Sequence, residues 1–283
     1  MSLRRLKCFL NPSDLHGRWK IENPFSGGIN NEPIEYHLLT TDTKWDFWRV
    51  TFYLHGLGGK LTDTPYLEDH ICPNMPLVRL ACFGLSRLYL GAVVSTFGDI
   101  CTLLYNGRQS IITLADILGV ESYNVVAHSW GGFSACLAAL SDSRCKKAML
   151  LVSTPDICDA ISNMYKLVGL PTSAGPVADI FLGKLRGDAL AAKFGKAKHQ
   201  IAWNVISPYG EVANPNLRML IYNRDEDQVM RKANVEHFVE YSSRRGAPNV
   251  VAEFNAFPEL SHWHDMPLEK FSERMAEFLF GDG

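Results

Sequence analysis

The sequence predicts a doubly wound α/β domain, and two observations predict it. Short, unbroken apolar runs rich in β-branched and aromatic residues recur along the chain, and helical patterns with turn signals separate them. A strand with one wet face alternates, whereas a strand that is apolar throughout is buried on both faces, as in a parallel sheet covered by helices. The β-α-β-α alternation then selects an open sheet with helices on both sides.

Taken in order, IEYHLLTTD (34–42) and WDFWRV (45–50) alternate more than the later runs and read as antiparallel edge strands. The buried-strand runs are VTFYL (50–54), PLVRLAC (76–82), YNVVA (123–127), KAMLLVS (147–153), LRMLIYN (217–223) and NVVAEF (249–254). Among the helices, SIITLADILGV (110–120) has apolar spacing of three and four and ends at Gly119. FSACLAALS follows the glycines at 131–132. The segment 229–245 places Val229, Ala233, Phe238 and Tyr241 near one face and stops at Gly246. A last helix opens with Pro267 at its first position. The interval 155–216 breaks the rhythm: it holds no convincing buried strand, only helical patterns divided by glycines and prolines. That is too long for a plain loop. It reads as a helical cap inserted into a single domain that spans residues 1–283.

Composition narrows the function. The chain has 283 residues, enough to bury about three quarters of the surface its unfolded form exposes. Lys and Arg number 28 against 30 Asp and Glu, a formal charge of −2, so there is no basic footprint for nucleic acid. Seven cysteines form no C-x-x-C pair and are odd in number, which suggests neither a disulfide framework nor a thiolate zinc site. The first residues lack the apolar stretch of a secretory signal, and LYLGAVVSTFG from Leu88 is too short to span a bilayer. The expectation is a cytoplasmic protein with no membrane association.

The sharpest chemical signal is VVAHSWGG (125–132), a buried strand that runs through Ser129 into a helix. A serine on a tight strand-to-helix turn is pushed into an exposed position, and small residues on either side let the backbone pass close to itself. The helix start behind it offers unpaired N–H groups to an anion. The competing reading is that Ser129 only caps the helix. A second signal is LHGLGG (54–59), a glycine-rich turn directly after a strand, whose N–H groups stay uncovered as an oxyanion hole requires. After LRMLIYN comes the carboxylate cluster Asp225-Glu226-Asp227, and after NVVAEF comes Ser261-His262-Trp263-His264-Asp265. His-Trp-His-Asp also invites a metal reading, but a metallohydrolase cluster needs more ligands than these, so neither a metal nor a cofactor is expected.

In this order, strand–HGLGG, strand–AHSWGG–helix, insertion, strand–acid, strand–histidine, the chain resembles the α/β-hydrolase superfamily, from about residue 34 to 279. The resemblance implies an eight-stranded, mostly parallel sheet, a cap made by the insertion, and a Ser–acid–His triad in that chain order. It implies Ser129 as nucleophile. Its D-x-V spacing selects Asp227 as the acid, with Asp225 the runner-up and Glu226 or Asp156 behind them. Its small residue before the histidine, here Ser261, selects His262 over His264. The N–H groups of Leu57 and Trp130 would form the oxyanion hole. Two departures stand out: Ala127 replaces the first glycine of the elbow, and residues 82–86 match a second glycine turn only in part.

The implied activity is a serine hydrolase acting on a small-molecule carboxylic ester through an acyl-enzyme. Thioester cleavage, carbon–carbon bond cleavage and acyl transfer use the same triad, so they are the rival chemistries. A ligand-binding protein that keeps the fold without turnover is the rival of another class. His128 and His55 read as packing or loop-bonding residues, and Trp45 and Trp48 as sheet-face packing.

Overall fold

Burial of the apolar runs on both faces is what builds the sheet. The computed structural model describes residues 16–19, 34–39, 48–56, 65–80, 97–153, 160, 163, 214–257 and 268–281. Leu57, Asp156, His262, His264, Pro267, the turn at 82–86 and the cap interval other than residues 160, 163 and 214–216 lie outside the described residues. The strands are β1 (His16–Trp19), β2 (Ile34–Leu39), β3 (Arg49–Leu54), β4 (Leu77–Leu80), β5 (Ser122–His128), β6 (Cys145–Leu151), β7 (Arg218–Asn223) and β8 (Val250–Phe254). They form one eight-stranded sheet in the order β1-β2-β4-β3-β5-β6-β7-β8. β1 and β2 pair antiparallel, β2 meets β4 antiparallel, and every pairing from β4 through β8 is parallel.

Five described helices cover it: α1 (Pro65–Ile71), α2 (Phe97–Leu118), α3 (Gly131–Ser141), α4 (Lys232–Arg244) and α5 (Leu268–Phe280). Successive strand residues serve opposite layers. Val125 and Ala127 of β5 and Ala148 and Leu150 of β6 join one core with residues of α2, α3 and α4. Val126, Met149 and Leu151 join the other with Leu67, Ile71, Phe271 and Met275 of α1 and α5. This two-sided burial is why the inner parallel strands read as continuous apolar runs.

Five expectations need correction. IEYHLL forms β2, antiparallel as expected but not at the edge, since it lies between β1 and β4. NVVAEF forms the edge strand β8, where Val250 alone is buried and Val251 is exposed, because among the described residues no further strand covers that side. WDFWRV is not an antiparallel edge strand where it is described: Arg49 and Val50 begin β3, a central strand paired in parallel with β5. Its alternation reflects entry from solvent, since Trp48 and Arg49 are exposed and Val50 is fully buried. The helix expected at 110–120 begins at Phe97. Gly107 interrupts the apolar spacing there because α2 meets α3 closely; a Cβ on Gly107 would stand 2.0 Å from the Ser134 Oγ. The helix expected from Val229 starts at Lys232, and its buried residues are Val235, Phe238 and Ser242, whereas Ala233 is exposed and Tyr241 half-buried. The first turn is lost because the Val229 and Met230 N–H groups are taken by a side chain, described below. Gly119 and Gly246 do follow their helices, both at positive φ.

Candidate active site

Parallel strands end at one edge of the sheet, so the residues that follow β3, β5, β6, β7 and β8 gather there. Backbone strain gathers at the same edge. Ser129, Val152 and Asn255 are the non-glycine residues with positive φ among the described residues, at 48°, 46° and 56°. Each is the first residue after its strand: β5, β6 and β8 respectively. Such conformations cost about 1–3 kcal/mol each and persist only where the surroundings over-determine them.

Ser129 is over-determined on several sides. Its N–H donates to the Leu151 carbonyl at 2.8 Å, continuing the β5–β6 ladder by one bond. Its carbonyl accepts the Gly132 N–H at 3.0 Å and the Ser153 hydroxyl at 2.8 Å. α3 then starts at once, and the two glycines explain how. A Cβ on Gly131 would stand 2.6 Å from the His55 carbonyl oxygen and 2.7 Å from that of Leu54. A Cβ on Gly132 would stand 2.0 Å from the Ser153 Oγ. Neither position has room for a side chain. Ala127, the departure from the usual elbow, is fully buried in the core on the α3 side of the sheet.

The first N–H groups of the helix can serve as donors to an anion. No acceptor among the described residues engages the N–H of Trp130 or Gly131. The Trp130 side chain is buried edge-on against Phe133, with ring centroids 5.4 Å apart, which fixes the residue carrying that N–H. The glycine-rich loop after β3 begins beside the serine. A Cβ on Gly56 would lie 3.3 Å from the Ser129 Cβ and 3.0 Å from His128 Nδ1. Buried His55 contacts the Gly56 carbonyl oxygen through Nδ1 at 2.7 Å, and His128 packs behind Gly56, so both histidines brace this loop.

The acidic turn after β7 separates its carboxylates. One oxygen of Asp227 accepts the Val229 N–H at 2.9 Å and the Met230 N–H at 2.7 Å, which holds the carboxylate and delays the start of α4. Buried Asn223 closes the same turn: its side-chain amide donates to the Met230 carbonyl at 2.6 Å, and its oxygen accepts the Arg224 N–H at 2.9 Å. Asp225 instead faces outward. It pairs with Lys232 at 3.0 Å and exchanges two hydrogen bonds with Asn255, at 2.9 and 3.1 Å. The hydrogen bond that the Lys232 ammonium donates to Asp225 raises its pKa above the ordinary value. Glu226 is exposed and pairs with Arg224. Sequence reasoning missed Asn223, Ser153 and Asn255. The available signal was a polar residue closing an apolar strand run, which reads equally well as an ordinary turn.

Among the described residues, no group of three or more His, Cys, Asp or Glu is placed to hold a metal, and no helix is long and apolar enough to cross a membrane. Cys72, Cys136 and Cys145 are buried and in no disulfide, and burial pushes the Cys136 and Cys145 thiols up.

With the strand order, the strained serine at the end of β5 and the helix packed against it, the chain has the α/β-hydrolase fold. Solved structures agree over nearly the whole length. An acetyl xylan esterase from Paenibacillus sp. R4 is 15% identical, with 98% of this chain and 99% of that chain covered and a TM-score of 0.55. Esterase 2 of Thermogutta terrifontis, phosphonylated by sarin, is 14% identical over 88% of this chain and 89% of its own, with a TM-score of 0.53. Proline iminopeptidase of Mycobacterium smegmatis is 14% identical over 89% and 96%, with a TM-score of 0.51. At these identities the likeness is one of fold. No family model matches the chain, and no curated protein matches it either.

Proposed function

We propose that the protein is a serine hydrolase that cleaves a small-molecule carboxylic ester, with Ser129, His262 and Asp227 as its triad. The observation that carries the reading is Ser129 at positive φ, between the N-terminal end of α3 and the start of the glycine loop after β3. A helix cap alone explains neither that strain nor the two crowded glycines. The tethered carboxylate of Asp227 supports its choice over Asp225, whose partners are a surface lysine and asparagine.

In the proposed reaction, His262 takes the Ser129 proton as Oγ attacks the ester carbonyl. Asp227 holds the imidazole in the tautomer that can accept this proton and stabilises the imidazolium that results. The Trp130 and Leu57 N–H groups hold the oxyanion; losing one such donor typically costs about 10²–10³ in turnover. Collapse of the tetrahedral intermediate expels the alcohol, protonated by His262. Water, deprotonated by the same histidine, then attacks the acyl-Ser129 ester and releases the acid.

Two neighbours in fold are named as esterases, which supports an ester as the first substrate to try. The iminopeptidase neighbour shows that the fold also carries other hydrolases. The test is a panel of activated esters, thioesters and aminoacyl amides of graded acyl length. Wild type should turn over at least one ester, and Ser129→Ala should abolish that turnover. A panel on which both proteins are inert would contradict the proposal.

A further inference from the structure

Ser153 takes no part in the chemistry just proposed, yet it is fully buried directly behind the nucleophile. Its hydroxyl donates to the Ser129 carbonyl at 2.8 Å. That carbonyl and the Trp130 N–H are the two ends of one planar peptide unit and point in opposite directions. Fixing the oxygen therefore fixes the direction of the N–H. A hydrogen bond accepted at the oxygen also polarises the amide, which strengthens its donor end.

Two independent features place the hydroxyl there. Val152, a β-branched residue, sits at a φ of 46° with its N–H bonded to the Tyr222 carbonyl at 2.8 Å. The chain leaving β6 thereby delivers its next residue, Ser153, to the elbow. Gly132 leaves the space, since a Cβ there would lie 2.0 Å from the Ser153 Oγ. The second glycine of the elbow thus makes room for this hydroxyl as well as for the turn.

We propose that Ser153 is a positioning residue: by holding the Ser129–Trp130 peptide from behind, it aims and strengthens the Trp130 N–H toward the oxyanion. The proposal rests on Ser129 being the nucleophile. Its test uses the full chain, p-nitrophenyl acetate and a trifluoromethyl ketone, which forms a tetrahedral adduct with an activated serine. Wild type should hydrolyse the ester and Ser129→Ala should not; without that activity the nucleophile assignment falls, and this proposal with it. Given that activity, Ser153→Ala should lower kcat by about 10–100-fold with KM little changed. Affinity for the ketone should fall by a similar factor, because both depend on the oxyanion. Ser153→Cys, which fills the same space with a weak donor, should show the same kind of loss and decides the matter if the alanine variant does not fold. Variants that match wild type in kcat and ketone affinity, or that lose only KM, would overturn the positioning role while leaving the hydrolase reading intact.

Discussion

At the residue scale, the site depends on positions where a substitution that is mild elsewhere should be severe. An exposed helical Gly→Ala change stabilises by about 0.8–1.0 kcal/mol. At Gly131 the new methyl would meet two backbone carbonyl oxygens of β3 and its following loop, which cannot swing aside as a side chain can. Gly131→Ala should therefore destabilise by about 1–3 kcal/mol, read from urea unfolding. The two aspartates give a contrast in activity. Asp227→Asn should lower kcat/KM by about 10⁴, because the amide favours the wrong imidazole tautomer. Asp225→Asn should leave the rate within a few-fold, since its pair with Lys232 is a surface one, screened by solvent. If Asp225→Asn is the damaging change, the acid lies two residues earlier. The strand-to-helix turn at Ser129 was legible in the sequence because its glycines mark the close approach of α3. Ser153 and Asn223 were not, because a polar residue after an apolar run carries no sign of which carbonyl it will meet.

At the scale of elements, polar side chains decide how helices and strands join at the edge opposite the site. The chain entering β7 is anchored by buried Asn214. Its amide faces the carbonyls of Ala139, Asp142 and Cys145 at 2.9, 3.0 and 2.8 Å, tying the end of α3 to the start of β6. Asn214→Ala would leave buried carbonyls without a donor, and a loss on the order of 2–3 kcal/mol is expected in urea unfolding. Nearby, burial alone would push the Asp142 carboxyl up, but hydrogen bonds from the Arg144 guanidinium and backbone N–H hold it below its ordinary range. Arg144 also reaches Asp116 of α2 at 2.7 Å. A carboxyl depressed in the native state adds stability above its unfolded pKa of about 3.9, and this is lost as pH falls through the native value. Asp142→Asn should therefore lower the urea midpoint at pH 7, and the gap to wild type should narrow below about pH 4. An equal gap at both ends would show that the carboxylate charge is not responsible. Elements with a simple period were legible, such as β5, α3 and α5. The entry to β3 and the first half of α2 were not, because exposure at Trp48 and helix contact at Gly107 override the period.

At the scale of the whole molecule, the fold acts by convergence. Each parallel strand runs the same way, so residues far apart in sequence meet at one edge: Ser129 after β5, Ser153 after β6, Asp227 after β7 and Asn255 after β8. This order could be read from the sequence because the inner parallel strands, β3 to β7, are largely buried on both faces, and the edge strand β8 keeps an apolar run although Val251 is exposed. β1 could not, since HGRW carries no apolar run and is recognised only by its pairing with β2. The ends of β7 and β8 are also bound to each other, through Asn255 N–H to the Asn223 carbonyl at 3.0 Å and through the Asn255–Asp225 pair. The central claim is that this edge activates one serine. Reaction of the folded chain with a fluorophosphonate, followed by peptide mass mapping, tests it most directly, because only an oxygen nucleophile beside an oxyanion hole reacts quickly. The account predicts one equivalent of adduct on Ser129, lost in Ser129→Ala and slowed by about 10³ or more in Asp227→Asn. Folded protein that stays unlabelled, or that is labelled at another serine, would contradict it.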